Sequence, residues 1–376
     1  MVQISAGFDS GNIKVLDDND PDRIRLEINK DHNSDFYQWF HFRLSGAKDI
    51  NCQMHIENAG GSAYVAGWKN YQAVASYDRQ FWFRVDTDFD GQNLSIQLQP
   101  EYDTVWLAYF APFSHEQHQN LLAEVQAAEQ VELHRLGETL DGRDLDLLQF
   151  HCTGKTAAKK LWLIARQHPG ESMAEWWMEG FLARLVDETD PVAREIRAKA
   201  DVFVVPNMNP DGSFRGHLRT NAAGANLNRE WEAPTMQRSP EVFLVREKMR
   251  QTGMDFCLDV HGDEALPYNF IAGAQGTKGW SEARAAQLKN FTETLARISP
   301  DFQTKIGYPV SPPGTANLSM CTNWTAEEFG CLSMTLEMPF KDTQDSPDND
   351  QGWSPERCRH LGAAMVDAIW ARFSDL

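Results

Sequence analysis

The sequence predicts an α/β layer fold preceded by an antiparallel β-sandwich, and three observations carry that reading. Up to about residue 115, short runs rich in aromatic and β-branched residues recur roughly every dozen residues between Asn, Asp and Gly clusters. At Ser114 the pattern turns helical. From about residue 131 onward, apolar strand-like runs alternate with helix-like segments. The expected division is therefore a sandwich over 1–114 and a larger α/β domain over 115–376.

In the front part, strands are expected at 37–44, 52–56, 80–85, 94–98 and 104–110, with no helix-length periodic segment between them. A helix then covers 115–130, opened by a capping box in which Ser114 is the N-cap and Gln117 the third helical residue. Beyond it, 161–165, 202–205, 256–260 and 332–336 read as buried strands, and 172–186, 240–251, 281–298 and 355–373 as helices. Asn209-Pro210-Asp211-Gly212 reads as turn chemistry, and the acidic stretch 342–350 as a solvated loop.

Composition removes whole classes of function. A length of 376 residues suggests two domains, and 42% hydrophobic with 24% charged residues is ordinary globular composition, which excludes disordered, collagen-like and disulfide-scaffold chains. The longest apolar runs fall far short of the roughly 18 residues that span a bilayer. The N-terminal residues lack the basic, apolar and small-residue regions of a signal peptide, so a cytoplasmic location is expected. Six scattered cysteines form no Cys-x-x-Cys pair and are expected as free, buried thiols. A net charge of -19 argues against nucleic acid and anionic membranes as partners.

Chemistry is concentrated at strand ends. Gln167-His168-Pro169-Gly170-Glu171-Ser172 follows one strand-like run and opens a helix-like one, so the imidazole of His168 and the carboxylate of Glu171 can converge on one cation. The same letters also fit a plain strand-to-helix turn with an acid near the positive end of the helix. A zinc site needs a third ligand and, if catalytic, an open fourth position. His261 in Leu258-Asp259-Val260-His261-Gly262 closes another apolar strand, and ligands in open α/β sheets bind outside the carboxyl ends of strands. His151 and His217 are alternatives that close no comparable strand. Glu337, at the end of the run Ser333-Met334-Thr335-Leu336, is an isolated carboxylate placed to act as proton acceptor. Between these lies a Gly- and Asn-containing loop with Arg215, Arg219 and Arg229, the last beside Asn228; guanidinium forks there can grip a carboxylate and an oxyanion, or simply balance nearby acids.

His168-Pro169-Gly170-Glu171, Asn209-Pro210-Asp211-Gly212, Arg219, Asn228-Arg229, His261 and Glu337, in this order, resemble the zinc metallocarboxypeptidase family over most of 131–376. The front part, with Phe8-Asp9-Ser10-Gly11-Asn12 and Gln38-Trp39-Phe40-His41, is similar to the β-sandwich of the cytosolic carboxypeptidase branch. The resemblance implies a mixed-sheet α/β/α catalytic domain and one zinc ion (Zn2+) per chain held by His168, Glu171 and His261. It implies Glu337 as general base, Arg219 as the group that polarises the scissile carbonyl, and Asn228 with Arg229 as the grip on the terminal carboxylate of a peptide or protein substrate. Cytosolic relatives commonly remove glutamates, yet Thr322, near the position that reads the terminal side chain, is neither an acid nor a base. The mobile Tyr of secreted members has no counterpart in Gly314-Thr315-Ala316-Asn317-Leu318, and the nearest Tyr upstream is Tyr308. Two other functions fit parts of the pattern: a zinc amidohydrolase of small N-acyl amino acids, and a catalytically silent peptide-binding protein.

Overall fold

The computed structural model describes residues 2–154 and 158–376. The front part consists of β1 (Gln3–Ser5), β2 (Lys14–Asp17), β3 (Ile24–Glu27), β4 (His41–Ser45), β5 (Cys52–Ile56), β6 (Val74–Ser76), β7 (Phe83–Arg84), β8 (Asp86–Phe89), β9 (Leu94–Leu98) and β10 (Thr104–Ala108). These make two five-stranded sheets, ordered β1-β4-β10-β6-β7 and β2-β3-β5-β9-β8. Pairing is antiparallel except between β3 and β5, which run parallel. In β5 the alternation of the sequence is realised directly: Cys52, Met54 and Ile56 are buried, Gln53 and His55 half-buried.

Two expected strands are shorter than the letters suggest. The segment 37–44 becomes a strand only at His41, because upstream the Gln38 side chain bonds the backbone of Tyr64, donating to its carbonyl (3.1 Å) and accepting from its amide (2.8 Å). The segment 80–85 pairs only at Phe83–Arg84, since Asp78 Oδ1 accepts from the amides of Gln80 and Phe81, 2.8 Å each, and holds them in a turn.

Behind these sheets follow α1 (His115–Val125), β11 (Val131–Glu138), β12 (Asp144–Phe150), β13 (Lys159–Ala165), α2 (Met173–Val186), α3 (Pro191–Lys199), β14 (Ala200–Val205), α4 (Pro210–Arg215), α5 (Pro240–Thr252), β15 (Phe256–Asp263), β16 (Phe270–Gly273), α6 (Glu282–Ile298), α7 (Cys321–Phe329), β17 (Leu332–Pro339) and α8 (Pro355–Ala371). The Ser114–Gln117 capping box opens α1 as its spacing predicts. The strands form one seven-stranded sheet, β11-β12-β14-β13-β15-β17-β16. Its centre, β14, β13, β15 and β17, is parallel, and the flanking strands are antiparallel.

Alternation along β13 divides the core. Leu161, Leu163 and Ala165 face α2, α6 and α8, whereas Trp162 and Ile164 face α5 and α7, giving the α/β/α layering. The first of these cores continues without a break into the front sheets, where the rings of Tyr109 and Phe340 stack at 4.5 Å.

Asn209-Pro210-Asp211-Gly212 does more than turn. Asn209 Oδ1 accepts from the Gly212 amide (3.1 Å) and Pro210 occupies the first helical position, so the same letters start α4. All six cysteines are free, and Cys152 alone among them is only partly covered. Among the described residues no helix is long and apolar enough to cross a membrane.

Candidate metal centre

Because β13, β15 and β17 run parallel, their carboxyl ends open on one edge of the sheet, and the candidate residues gather there. Just past β13, Arg166 adopts a left-handed φ of 58° although it is not glycine, a conformation that costs about 1 to 3 kcal/mol. Its buried guanidinium holds the turn, donating from Nε to the Pro169 carbonyl and from Nη1 to the Phe113 carbonyl, 2.9 Å each, and pairing with buried Glu175. The turn delivers His168 and Glu171 to the sheet edge ahead of α2.

There Glu171 Oε1 lies 2.7 Å from His168 Nδ1 and Glu171 Oε2 lies 2.8 Å from His261 Nδ1. The two Nδ1 atoms are 3.2 Å apart. All three side chains are buried, and one donor atom from each lies within 4.8 Å of the others. The far nitrogens have partners of their own: His168 Nε2 meets Asn226 Oδ1 at 3.1 Å, and His261 Nε2 meets Asp259 Oδ2 at 2.9 Å. Both partners are acceptors, which places a proton on each Nε2 and turns each Nδ1 to the carboxylate. Burial lowers the His261 pKa, but Asp259 and Glu171 together raise it well above the ordinary imidazole value, so a cation at its Nδ1 would take the place of a second proton. Such a cluster is favourable around a cation, so the donor set fits zinc. Burial, and next the Arg219 charge, push the His168 pKa down to about 4, which keeps that imidazole in its ligating form.

Glu337 stands directly beside His261 in the β15–β17 register. It is buried, and its Oε2 has no hydrogen-bond partner among the described residues. Burial raises its pKa well above the ordinary carboxylate value; His261 opposes the rise, while Glu171 and Asp263 add to it. Tyr308 donates to Asp263 Oδ2 (2.6 Å) in this neighbourhood. Glu337, Tyr308, Asn228, Thr322 and Thr335 line a cavity of about 720 Å³. At its wall the hydroxyls of Thr322 and Thr335 meet at 2.6 Å.

The arginines separate. Arg215 pairs with Asp141 (2.6 Å) and balances a surface acid. Arg219 has its guanidinium carbon 5.6 Å from the centroid of Phe36 and 5.4 Å from that of Tyr64, and its buried Nε has no partner among the described residues. Arg229 is exposed and donates to the Asn228 carbonyl (2.6 Å), while buried Asn228 accepts from the Cys321 amide (2.9 Å). His217 is engaged elsewhere, accepting from the His32 amide at 3.1 Å. His151 joins Glu132 and His134 on the edge hairpin β11–β12, where both imidazoles meet one carboxylate oxygen at 3.0 and 3.2 Å at a partly exposed position.

Several residues of the centre carry no catalytic signature in the sequence. Asp259 was findable, since it precedes His261 by two in the same strand and so shares its face. Gln167 was not. Its amide donates to Asp259 Oδ2 (2.6 Å) and accepts from the Trp231 indole (2.8 Å), contacts made only by folding.

Comparison with known proteins agrees with this geometry. Residues 4–110 match the family model described as the cytosolic carboxypeptidase N-terminal domain, and residues 118–355 match the one described as zinc carboxypeptidase. An uncharacterized protein of Zymomonas mobilis is 50% identical, covering 100% of this chain and 99% of its own. The crystal structure of a metallo-carboxypeptidase from Burkholderia cenocepacia is 47% identical with a TM-score of 0.98, covering 100% of both chains. A metallo-carboxypeptidase from Pseudomonas aeruginosa, in complex with (2-guanidinoethylmercapto)succinic acid, is 44% identical with a TM-score of 0.96, covering 99% of both chains.

Proposed function

Because the chain belongs to the zinc carboxypeptidase family, with the cytosolic carboxypeptidase N-terminal domain in front, we propose the following division of labour for its zinc-dependent peptide hydrolysis. His168, Glu171 and His261 hold the ion, Glu337 is the general base, Arg219 polarises the scissile carbonyl, and Asn228 with Arg229 hold the terminal carboxylate. The observation that carries the reading is the unpartnered, buried Oε2 of Glu337 beside His261.

A zinc ion bound by the three ligands supplies Lewis-acid chemistry, acidifying water and polarising a carbonyl. Glu337 Oε2 takes a proton from the attacking water, and its burial makes it a strong enough base to do so. The same oxygen then returns that proton to the departing amine nitrogen. Arg219, with its Nε free to donate, stabilises the charge that develops on the carbonyl oxygen. Asn228 and Arg229 bind the free carboxylate and so restrict cleavage to the last peptide bond.

The cavity wall supports an uncharged terminal side chain over glutamate. Thr322 and Thr335 are neutral, and the two lysines of the lining, Lys289 and Lys305, are exposed, with Lys289 already paired to Glu293. Tyr308 is the candidate to close over substrate, since it faces the same cavity as Glu337. We take 1–114 and 115–376 as the two domains, on the strength of the capping box that opens α1. The free cysteines fit a reducing compartment, and we infer the cytoplasm.

Zinc-loaded protein given matched peptides with free and amidated C-termini tests the assignment. It should release the last residue of the free acid only, and Glu337→Gln should stop release while one zinc per chain stays bound. Equal cleavage of the amidated peptide would remove the carboxylate grip, and full activity of Glu337→Gln would remove the base.

A further inference from the structure

The backbone on both sides of Arg219 is held from the front part of the chain. Asp31 lies 187 residues before Leu218, is buried, and accepts from three consecutive amides: Leu218 N to Oδ1 (2.7 Å), then Arg219 N and Thr220 N to Oδ2 (2.8 and 2.9 Å). The Thr220 hydroxyl adds a fourth bond to Oδ2 at 3.0 Å. Hydrogen bonds to an ionised carboxylate are about twice as strong as neutral ones, and four of them fix the backbone of Arg219 on both sides.

Neighbouring contacts reinforce the hold. The His32 amide donates to His217 Nε2 (3.1 Å), so the His217 proton sits on Nδ1 and donates to the Thr220 carbonyl (2.9 Å). Asn12 Nδ2 donates to the Gly216 carbonyl (2.8 Å). Gly216 and Gly224 bracket the loop at φ of 69° and 80°, and a Cβ at Gly224 would fall 2.4 Å from the Asn33 carbonyl oxygen, so only glycine lets the two parts approach. On the other side, the Leu218 carbonyl accepts from Gly170 N (2.9 Å), which ties the loop to the turn between His168 and Glu171. The guanidinium itself is flanked by Phe36 and Tyr64, and Tyr64 is anchored through both its backbone groups by Gln38.

We propose that Asp31 is a positioning residue for catalysis, and that Phe36 and Tyr64 complete the socket for Arg219, so that the front sheets are a working part of the oxyanion machinery. This rests on the role given to Arg219 above. A donor misplaced by about 1 Å can cost 10²-fold in rate, so the expected effect is on turnover. Asp31→Asn replaces a carboxylate oxygen facing amide donors with an NH2 group; it should lower kcat by about 10- to 100-fold with KM and zinc content little changed. Asp31→Glu, which restores the charge, should recover part of the loss. Phe36→Leu, at a half-buried position, perturbs folding less and should lower kcat several-fold.

The deciding measurement is a double-mutant cycle with Arg219→Met, each protein checked for bound zinc and thermal midpoint. If Asp31 acts through Arg219, the double variant should match Arg219→Met within about twofold, as expected for coupled sites. Additive losses, or an unaltered kcat in both Asp31→Asn and Phe36→Leu, would overturn the proposal while leaving Arg219 its role. An unaltered kcat in Arg219→Met would instead remove the role of Arg219, and this inference with it.

Discussion

The metal-ligand cluster and the Arg219 loop lie at the same edge of the sheet but are built in opposite ways. His261, its support Asp259 and Glu337, the proposed base, sit on adjacent parallel strands, so sheet register alone aligns them. His168 and Glu171 follow within six residues of the neighbouring strand β13. Arg219 belongs to the long connection between α4 and α5, ahead of the short 3-10 turn at Leu227–Arg229, and Asp31 fixes it from a remote part of the chain. On the roles proposed above, the difference teaches that ion binding and transition-state stabilisation should fail separately, since each depends on a different scaffold.

The largest expected effect is on the cluster. His261→Ala should lose both zinc and turnover, because two protein ligands do not make a catalytic site; metal analysis after dialysis reads the first and peptide hydrolysis the second. Zinc retained at one per chain would break the claim that His261 is a ligand. Next, Arg219→Met should reduce kcat by about 10²- to 10³-fold with zinc content unchanged, and loss of metal along with rate would erase the contrast between the two regions. Asp259→Ala removes the acceptor that orients His261; zinc affinity should fall by about 10- to 100-fold, while kcat at saturating zinc stays within a few-fold.

The smallest effect sharpens the contrast through pH. His41 of β4 is fully buried, and burial, with Arg79 as a minor cause, drives its pKa down to about 3. In the folded protein it stays neutral, whereas the unfolded chain takes up a proton at about 6.5. The unfolded state therefore binds more protons below that value, and stability is lost as pH falls from about 6.5 towards 3. Urea unfolding at pH 7 and pH 5, with zinc in excess, should show the native protein losing about 2 kcal/mol more than His41→Gln over that interval. Equal losses would place the acid sensitivity outside the front sheets.

What the letters disclose follows from how each contact is made. The ligands were legible because they end apolar runs, and the capping box at Ser114 because its partners are three residues apart. The helix α7 was not, since Cys321-Thr322-Asn323-Trp324-Thr325 has little helical preference and is held by tertiary contacts, among them Thr325 to Ser333 at 2.7 Å. Nor did Asn-Pro-Asp-Gly announce α4, because turn and helix start share the same residues.

The amino-acid order by itself determined that two imidazoles and two carboxylates would stand at strand ends, because alternation and strand termination are local properties of the chain. The tertiary structure alone decided that Asn226 faces His168 and which part of the molecule grips Arg219. Those choices rest on hydrogen bonds between groups far apart in the chain, and such bonds impose no spacing on the sequence that could be read in advance.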